Sequence, residues 1–171
     1  MRLFLTGFMG AGKTTIGRRL AERLNVPFLD LDGEIERRAG LPVREIFAQQ
    51  GEPAFRQLEQ VALLGILERP DAVVATGGGT MAFEGNSRLI QANGMSIWLH
   101  PSFATIVRRI GGRGKGDRPL FRDEAQALAL YRERLPAYRR ADLTVDIAVD
   151  EGPEEIAARI ELLIGERRCA T

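Results

Sequence analysis

The segment Gly7-Phe-Met-Gly-Ala-Gly-Lys-Thr14 constrains this chain more than any other, because it fits the pattern G-x-x-x-x-G-K-[ST]. The residues before it, Arg2 to Thr6, read as a short buried strand, and Thr15 to Leu24 read as a helix. Strand, glycine loop and helix in that order form a phosphate-binding turn. The glycines let backbone N–H groups turn toward an anion, and the helix N-terminus adds a positive dipole. Lys13 then reaches the β- and γ-phosphates of a nucleotide, and Thr14 offers its hydroxyl to Mg²⁺. Lysine is otherwise rare here: the only other one is Lys115, in a chain whose basic residues are almost all arginine. A compact charge on a flexible stem sits where a phosphate needs it.

The rest of the chain supplies the remainder of an α/β domain. Apolar runs at Leu3–Thr6, Pro27–Asp30, Ala72–Ala75, Met95–Leu99 and Leu143–Val149 predict strands, short and nearly all apolar as in a parallel sheet covered on both faces. Helical periodicity covers Thr15–Leu24, Asp32–Ala39, Val43–Gln50, Pro53–Glu68, Ser87–Asn93, Phe103–Ile110, Glu124–Arg139 and Pro153–Ile164. The expected fold is a three-layer α/β/α P-loop domain with about five parallel strands. At 171 residues the chain is one domain's worth. A net charge of +1 gives no global pull toward nucleic acid or acidic membranes. One cysteine, Cys169, precludes an internal disulfide, and no apolar run approaches the ~18 residues of a membrane span. Met1 leads straight into a strand, so a cytoplasmic monomer is expected.

Parallel sheets bind ligands at the carboxyl ends of their strands, so the residues after each strand carry the chemistry. After the second strand comes Asp30-Leu-Asp32. Alternation puts both carboxylates on one side, where one can hold a water on Mg²⁺ or accept a hydroxyl proton. The alternative for Asp32 is a helix N-cap. After the third strand comes Thr76-Gly-Gly-Gly79, whose entropic cost makes sense where a substrate approaches the backbone closely. His100, the single histidine, reads as a strand-end residue ahead of a helix capped by Ser102, not as a catalytic base. From Arg109 to Pro119, four glycines and four basic residues fall in eleven positions, the composition of a hinged basic flap or of a solvated surface loop. The aromatics Phe8, Phe47, Phe55, Phe83 and Tyr138 are expected in the core.

Six pieces in this order make the chain resemble shikimate kinases over nearly its whole length: Gly7 to Thr15, Asp30-Leu-Asp32, Gly51-Glu-Pro-Ala-Phe-Arg56-Gln-Leu-Glu59, Thr76-Gly-Gly-Gly79, Arg118-Pro-Leu120 and Tyr138-Arg139. The resemblance implies a single kinase domain over residues 1–171, with a substrate-binding region at about 32–62 and a lid at about 111–123. It implies transfer of the ATP γ-phosphoryl to the 3-hydroxyl of shikimate, on the route to chorismate. Asp32 would contact the acceptor hydroxyl as base. Asp30, through water, and Thr14 would hold Mg²⁺. Arg56 and Arg139 would bind the shikimate carboxylate, and Gly78 and Gly79 would meet the substrate through their backbone. ATP would contact Gly10, Ala11, Gly12, Lys13, Thr14 and Thr15, with Arg109 flanking the adenine and Arg118 closing from the lid as a catalytic charge beside Lys13. The segment Asp150 to Pro153 would lie near the adenine. A sister kinase for another hydroxy acid such as gluconate, a nucleotide-dependent regulatory protein and a nucleic-acid-dependent ATPase are the competing readings. Neutral charge and small size weigh against the last.

Overall fold

Five parallel strands in the order β2-β3-β1-β4-β5 form the central sheet of the computed structural model, which describes residues 1–111 and 123–169. The strands are β1 (Arg2–Thr6), β2 (Phe28–Asp30), β3 (Ala72–Ala75), β4 (Met95–Pro101) and β5 (Leu143–Ile147). Seven helices complete the described chain: α1 (Lys13–Leu24), α2 (Leu31–Ala39), α3 (Val43–Leu67), α4 (Glu84–Asn93), α5 (Phe103–Gly111), α6 (Glu124–Tyr138) and α7 (Pro153–Cys169). A 3₁₀ turn at Thr80–Ala82 was not foreseen in the sequence.

β1 is the central strand. It pairs with β3 on one side (Leu3 opposite Val73) and with β4 on the other (Leu3 opposite Met95). Leu3, Phe4 and Leu5 are wholly buried, because both faces of the sheet are covered. On one face α1 and α7 pack over Leu3, Leu5 and Leu99, with Ile16, Leu20, Ile156 and Ile160 filling the layer. On the other, α2, α3 and α4 bury Ile35, Leu63 and Ile90 against Phe4 and Val74. Each such side chain contributes about 1.5–3 kcal/mol of burial. From β1 the chain crosses to β2 on one side, and from β3 it crosses back over β1 to β4 on the other. A crevice therefore opens above the carboxyl end of β1, as expected where strand order reverses.

Two details matter for that crevice. α3 breaks at Gly51 (φ 79°, ψ 174°), and Pro53 opens its second half. The break lies between the two separate helices predicted there, and it aims the second half, with Arg56 and Glu59, at the crevice. α6 is capped by Asp123, whose side chain accepts from the Ala125 N–H at 2.8 Å. Its buried face carries Ala127, Tyr131, Arg134 and Tyr138. Among the described residues no helix is long and apolar enough to cross a membrane.

Candidate active site

The turn after β1 can be built only with glycine at its first position. Gly7 has φ 139°, and a Cβ there would lie 2.7 Å from the carbonyl oxygen of Leu99 on β4. The turn ends on Gly12, and α1 starts at Lys13 with no side chain capping it and no acid in its first turn. The first amides of a helix have no partner within it. Left uncapped, with the dipole behind them, those of α1 form an anion site. Lys13 Nζ donates to the carbonyls of Gly7 (2.8 Å) and Phe8 (3.0 Å), so the charge is already held over the loop. Arg109 Nη1 donates to the carbonyls of Gly10 (3.3 Å) and Ala11 (3.4 Å), tying the end of α5 to the same loop. The side chain of Ala11 is buried in the core and its N–H donates to the Phe8 carbonyl, so Ala11 faces inward in this structure.

Asp30, not Asp32, is the cap of α2. Its Oδ1 accepts from the N–H groups of Asp32 (3.1 Å) and Gly33 (3.3 Å), and its Oδ2 accepts from Thr14 Oγ1 at 3.0 Å. The strand stops at Asp30 and Leu31 turns into the core, so the two carboxylates are related by a helix start and not by strand alternation. Asp32 is thereby freed from capping. It faces Gly77, where a Cβ would lie 3.0 Å from Asp32 Oδ1. Burial pushes its carboxyl up from 3.8 to about 6; the Asp30 charge adds to the rise and Lys13 opposes it.

The far end of the crevice is organised by a buried carboxylate. Glu59, with no exposed surface, accepts from Thr80 Oγ1 (2.6 Å), Asn86 Nδ2 (2.9 Å) and Arg56 Nη1 (2.8 Å). Removing one partner of such a buried pair costs about 3–5 kcal/mol, which fixes Arg56 firmly. Arg56 also reaches Glu52 (3.1 Å) and lies over the Phe83 ring, 4.2 Å from its centroid. A Cβ on Gly79 would stand 2.5 Å from Arg56 Nη2 and 3.2 Å from Arg134 Nη2, and one on Gly78 would stand 3.2 Å from Arg134 Nη1. Two guanidinium groups therefore converge on the triple-glycine turn, Arg56 most closely and held there by Glu59.

The second arginine is not the expected one. Arg139 is exposed at the C-terminal end of α6, away from the crevice, whereas Arg134 is buried and lines it. The sequence held the signal: Arg134 falls at helical spacing on the stripe with Ala127, Tyr131 and Tyr138, and an arginine on a core stripe needs an anion. Arg139 lies one position past the end of that stripe.

Both ends belong to one cavity of about 960 Å³. Its walls include Gly10, Gly12, Lys13, Thr14, Thr15 and Arg109 at one end and Arg56, Glu59, Gly79 and Arg134 at the other, with Asp30, Asp32 and Gly78 between. Glu151 and Pro153 line the nucleotide end, and Phe47 and Phe55 wall the opposite one, so these two phenylalanines serve both core and site. Phe83 is part-exposed against Arg56. His100 is engaged elsewhere, with Asp146 (2.8 Å) and the Tyr131 hydroxyl (3.1 Å), and Ser102 Oγ caps α5 by accepting from the Thr105 N–H. Arg118 and Lys115 lie outside the described residues.

The chain is similar to known proteins over nearly its whole length. The curated shikimate kinase of Ruegeria pomeroyi is 40% identical over 167 residues, covering 96% of this chain and 85% of that protein. The solved shikimate kinase from Acinetobacter baumannii in complex with shikimate superposes with a TM-score of 0.91 at 35% identity, covering 97% of this chain and 93% of that one. A gluconokinase from Sinorhizobium meliloti, 18% identical with a TM-score of 0.57 over 96% of both chains, shares the fold alone. The sequence model of the family described as shikimate kinase matches residues 9–164, a span that holds Gly10 to Thr15 of the phosphate loop, Asp30, Asp32, Arg56 and Arg134, and the chain belongs to the shikimate kinase family.

Proposed function

We propose that the chain transfers the γ-phosphoryl group of ATP to the 3-hydroxyl of shikimate, giving shikimate 3-phosphate and ADP on the route to chorismate and aromatic amino acids. The observation that carries the reading is the convergence of Arg56 and Arg134 on Gly79, at the end of the cavity opposite the phosphate loop. Two guanidinium forks hold one carboxylate and fix its orientation. A small polyol held there presents a hydroxyl toward Asp32 and the γ-phosphate.

The residues divide the work. The amides at the start of α1, with Gly10, Gly12 and Thr15, cradle the phosphates, and Arg109 with Pro153 flanks the base. Lys13 exchanges its loop carbonyls for phosphate oxygens and neutralises the charge that spreads over them. Asp32 orients the 3-hydroxyl and takes its proton as the phosphoryl group leaves ADP, which its carboxyl can do once ionised above pH ~6. Thr14 and Asp30, 3.0 Å apart, offer a hydroxyl and a carboxylate that suit Mg²⁺ and would hold it, Asp30 through water. When bound there, Mg²⁺ would supply positive charge against the phosphates. Arg118, on a lid spanning about 111–123, is assigned to close over the phosphates, and residues about 32–62 form the substrate-binding region. The enzyme is proposed to act as a cytoplasmic monomer.

A coupled assay with ATP, Mg²⁺ and shikimate tests the reading. Shikimate-dependent ADP release is expected, with gluconate a poor acceptor at equal concentration. Absence of shikimate-dependent ADP would remove the assignment.

A further inference from the structure

α6 touches the triple-glycine turn twice. Arg134 meets Gly78 and Gly79 from one turn of the helix, and Tyr138 meets Gly78 from the next. The Tyr138 ring has no exposed surface and packs 5.8 Å from the ring of Trp98 on β4. Its hydroxyl donates to the Gly78 carbonyl at 2.5 Å, across 60 residues of sequence. Gly78 is also where the two ends of the cavity meet, since a Cβ there would lie 3.6 Å from the Met9 nitrogen and 3.8 Å from the Gly7 carbonyl of the phosphate loop.

We propose that Tyr138 is a positioning residue for phosphoryl transfer: its hydroxyl pins the Gly77–Gly79 turn to α6, setting the register between the carboxylate clamp and the phosphate loop. The role rests on the reading of Arg134 as part of that clamp. With its carbonyl taken by Tyr138, Gly78 has one backbone orientation, and Arg134 on the same helix approaches that turn at a fixed height. The ring is buried beside Trp98, and the hydroxyl that meets the turn also meets the Arg134 side chain. Burial pushes the Tyr138 hydroxyl up to about 12, with the Arg134 charge opposing, so it remains a proton donor at any working pH. The bare alternative is a core tyrosine whose hydroxyl has found the nearest carbonyl, which affects stability alone.

Tyr138→Phe in the full chain separates the two. The shikimate KM is expected to rise about tenfold, the effect of one well-placed hydrogen bond, with the ATP KM changed less than about twofold. Combined with Arg134→Lys, the effects should fall short of the product of the single changes, because both act on the same turn. Thermal melting of each variant, with kinetics run well below the transition, removes loss of fold from the comparison. A shikimate KM within about twofold of the parent, beside an Arg134→Lys variant whose KM has risen, overturns the role of Tyr138 alone. An Arg134→Lys variant with unchanged shikimate KM overturns the clamp and this role with it.

Discussion

The two ends of the cavity are made in opposite ways. The nucleotide end is a single stretch, Gly7 to Thr15, whose geometry follows from local rules: glycine where a Cβ would strike Leu99, an uncapped helix start, and a lysine folded over its own loop. The acid end is drawn from α2, α3, the turn after β3 and α6, with no two of its charged residues adjacent in the chain. A local motif works wherever a strand and helix meet. A convergent site exists only if the whole domain packs correctly, so its specificity is borne by tertiary structure.

Substitutions at each end should break this comparison differently. The largest effect is expected at Asp32, where the ends meet: Asp32→Asn should lower kcat about a thousandfold while nucleotide affinity, measured by titration, moves little. At the acid end alone, Arg134→Ala should raise the shikimate KM about 100-fold, the 2–5 kcal/mol scale of a charged, desolvated contact, and leave the ATP KM nearly unchanged. Equal weakening of both substrates would dissolve the distinction between the ends. The pH profile comes next. With a carboxyl near 6, kcat/KM for shikimate should fall about tenfold per unit below that pH.

The same carboxyl predicts a stability effect with the opposite sign from the usual acid. The folded state holds its proton up to about 6 and the unfolded state only to about 3.8, so stability falls as pH rises between those values. Asp32→Asn should therefore melt higher at pH 7, by about 1–3 kcal/mol, and the gain should vanish below pH ~4. The smallest effect is expected at Arg139→Ala, with shikimate KM within about twofold, since that side chain is exposed at a helix end. A large loss there would restore it to the clamp.

What the sequence revealed follows the same division. All five strands, the parallel architecture and the phosphate loop were legible, because each is written in contiguous residues. The cap at Asp30 was missed because strand alternation was carried two residues beyond the strand, to Asp32. Arg134 was missed because Tyr138-Arg139 was read as a pair of neighbours, while the helix presents residues to the cavity at every third or fourth position. Glu59 was noticed only as part of a run. Of its three partners, Arg56 lies one helical turn away on α3, whereas Thr80 and Asn86 are brought to it by folding and not by spacing.

The continuity of the cavity also has a meaning for inhibition. A single molecule bearing a carboxylate at one end and a polyphosphate at the other would bind its second end from an effective concentration set by its own tether, not by the solution. Such linkage raises affinity by about 10²–10⁴ over either half when the span is right, and by nothing when it is not. The 960 Å³ enclosed between Lys13 and Arg134 thus acts as a ruler for tether length, read by inhibition constants across a series of linked compounds.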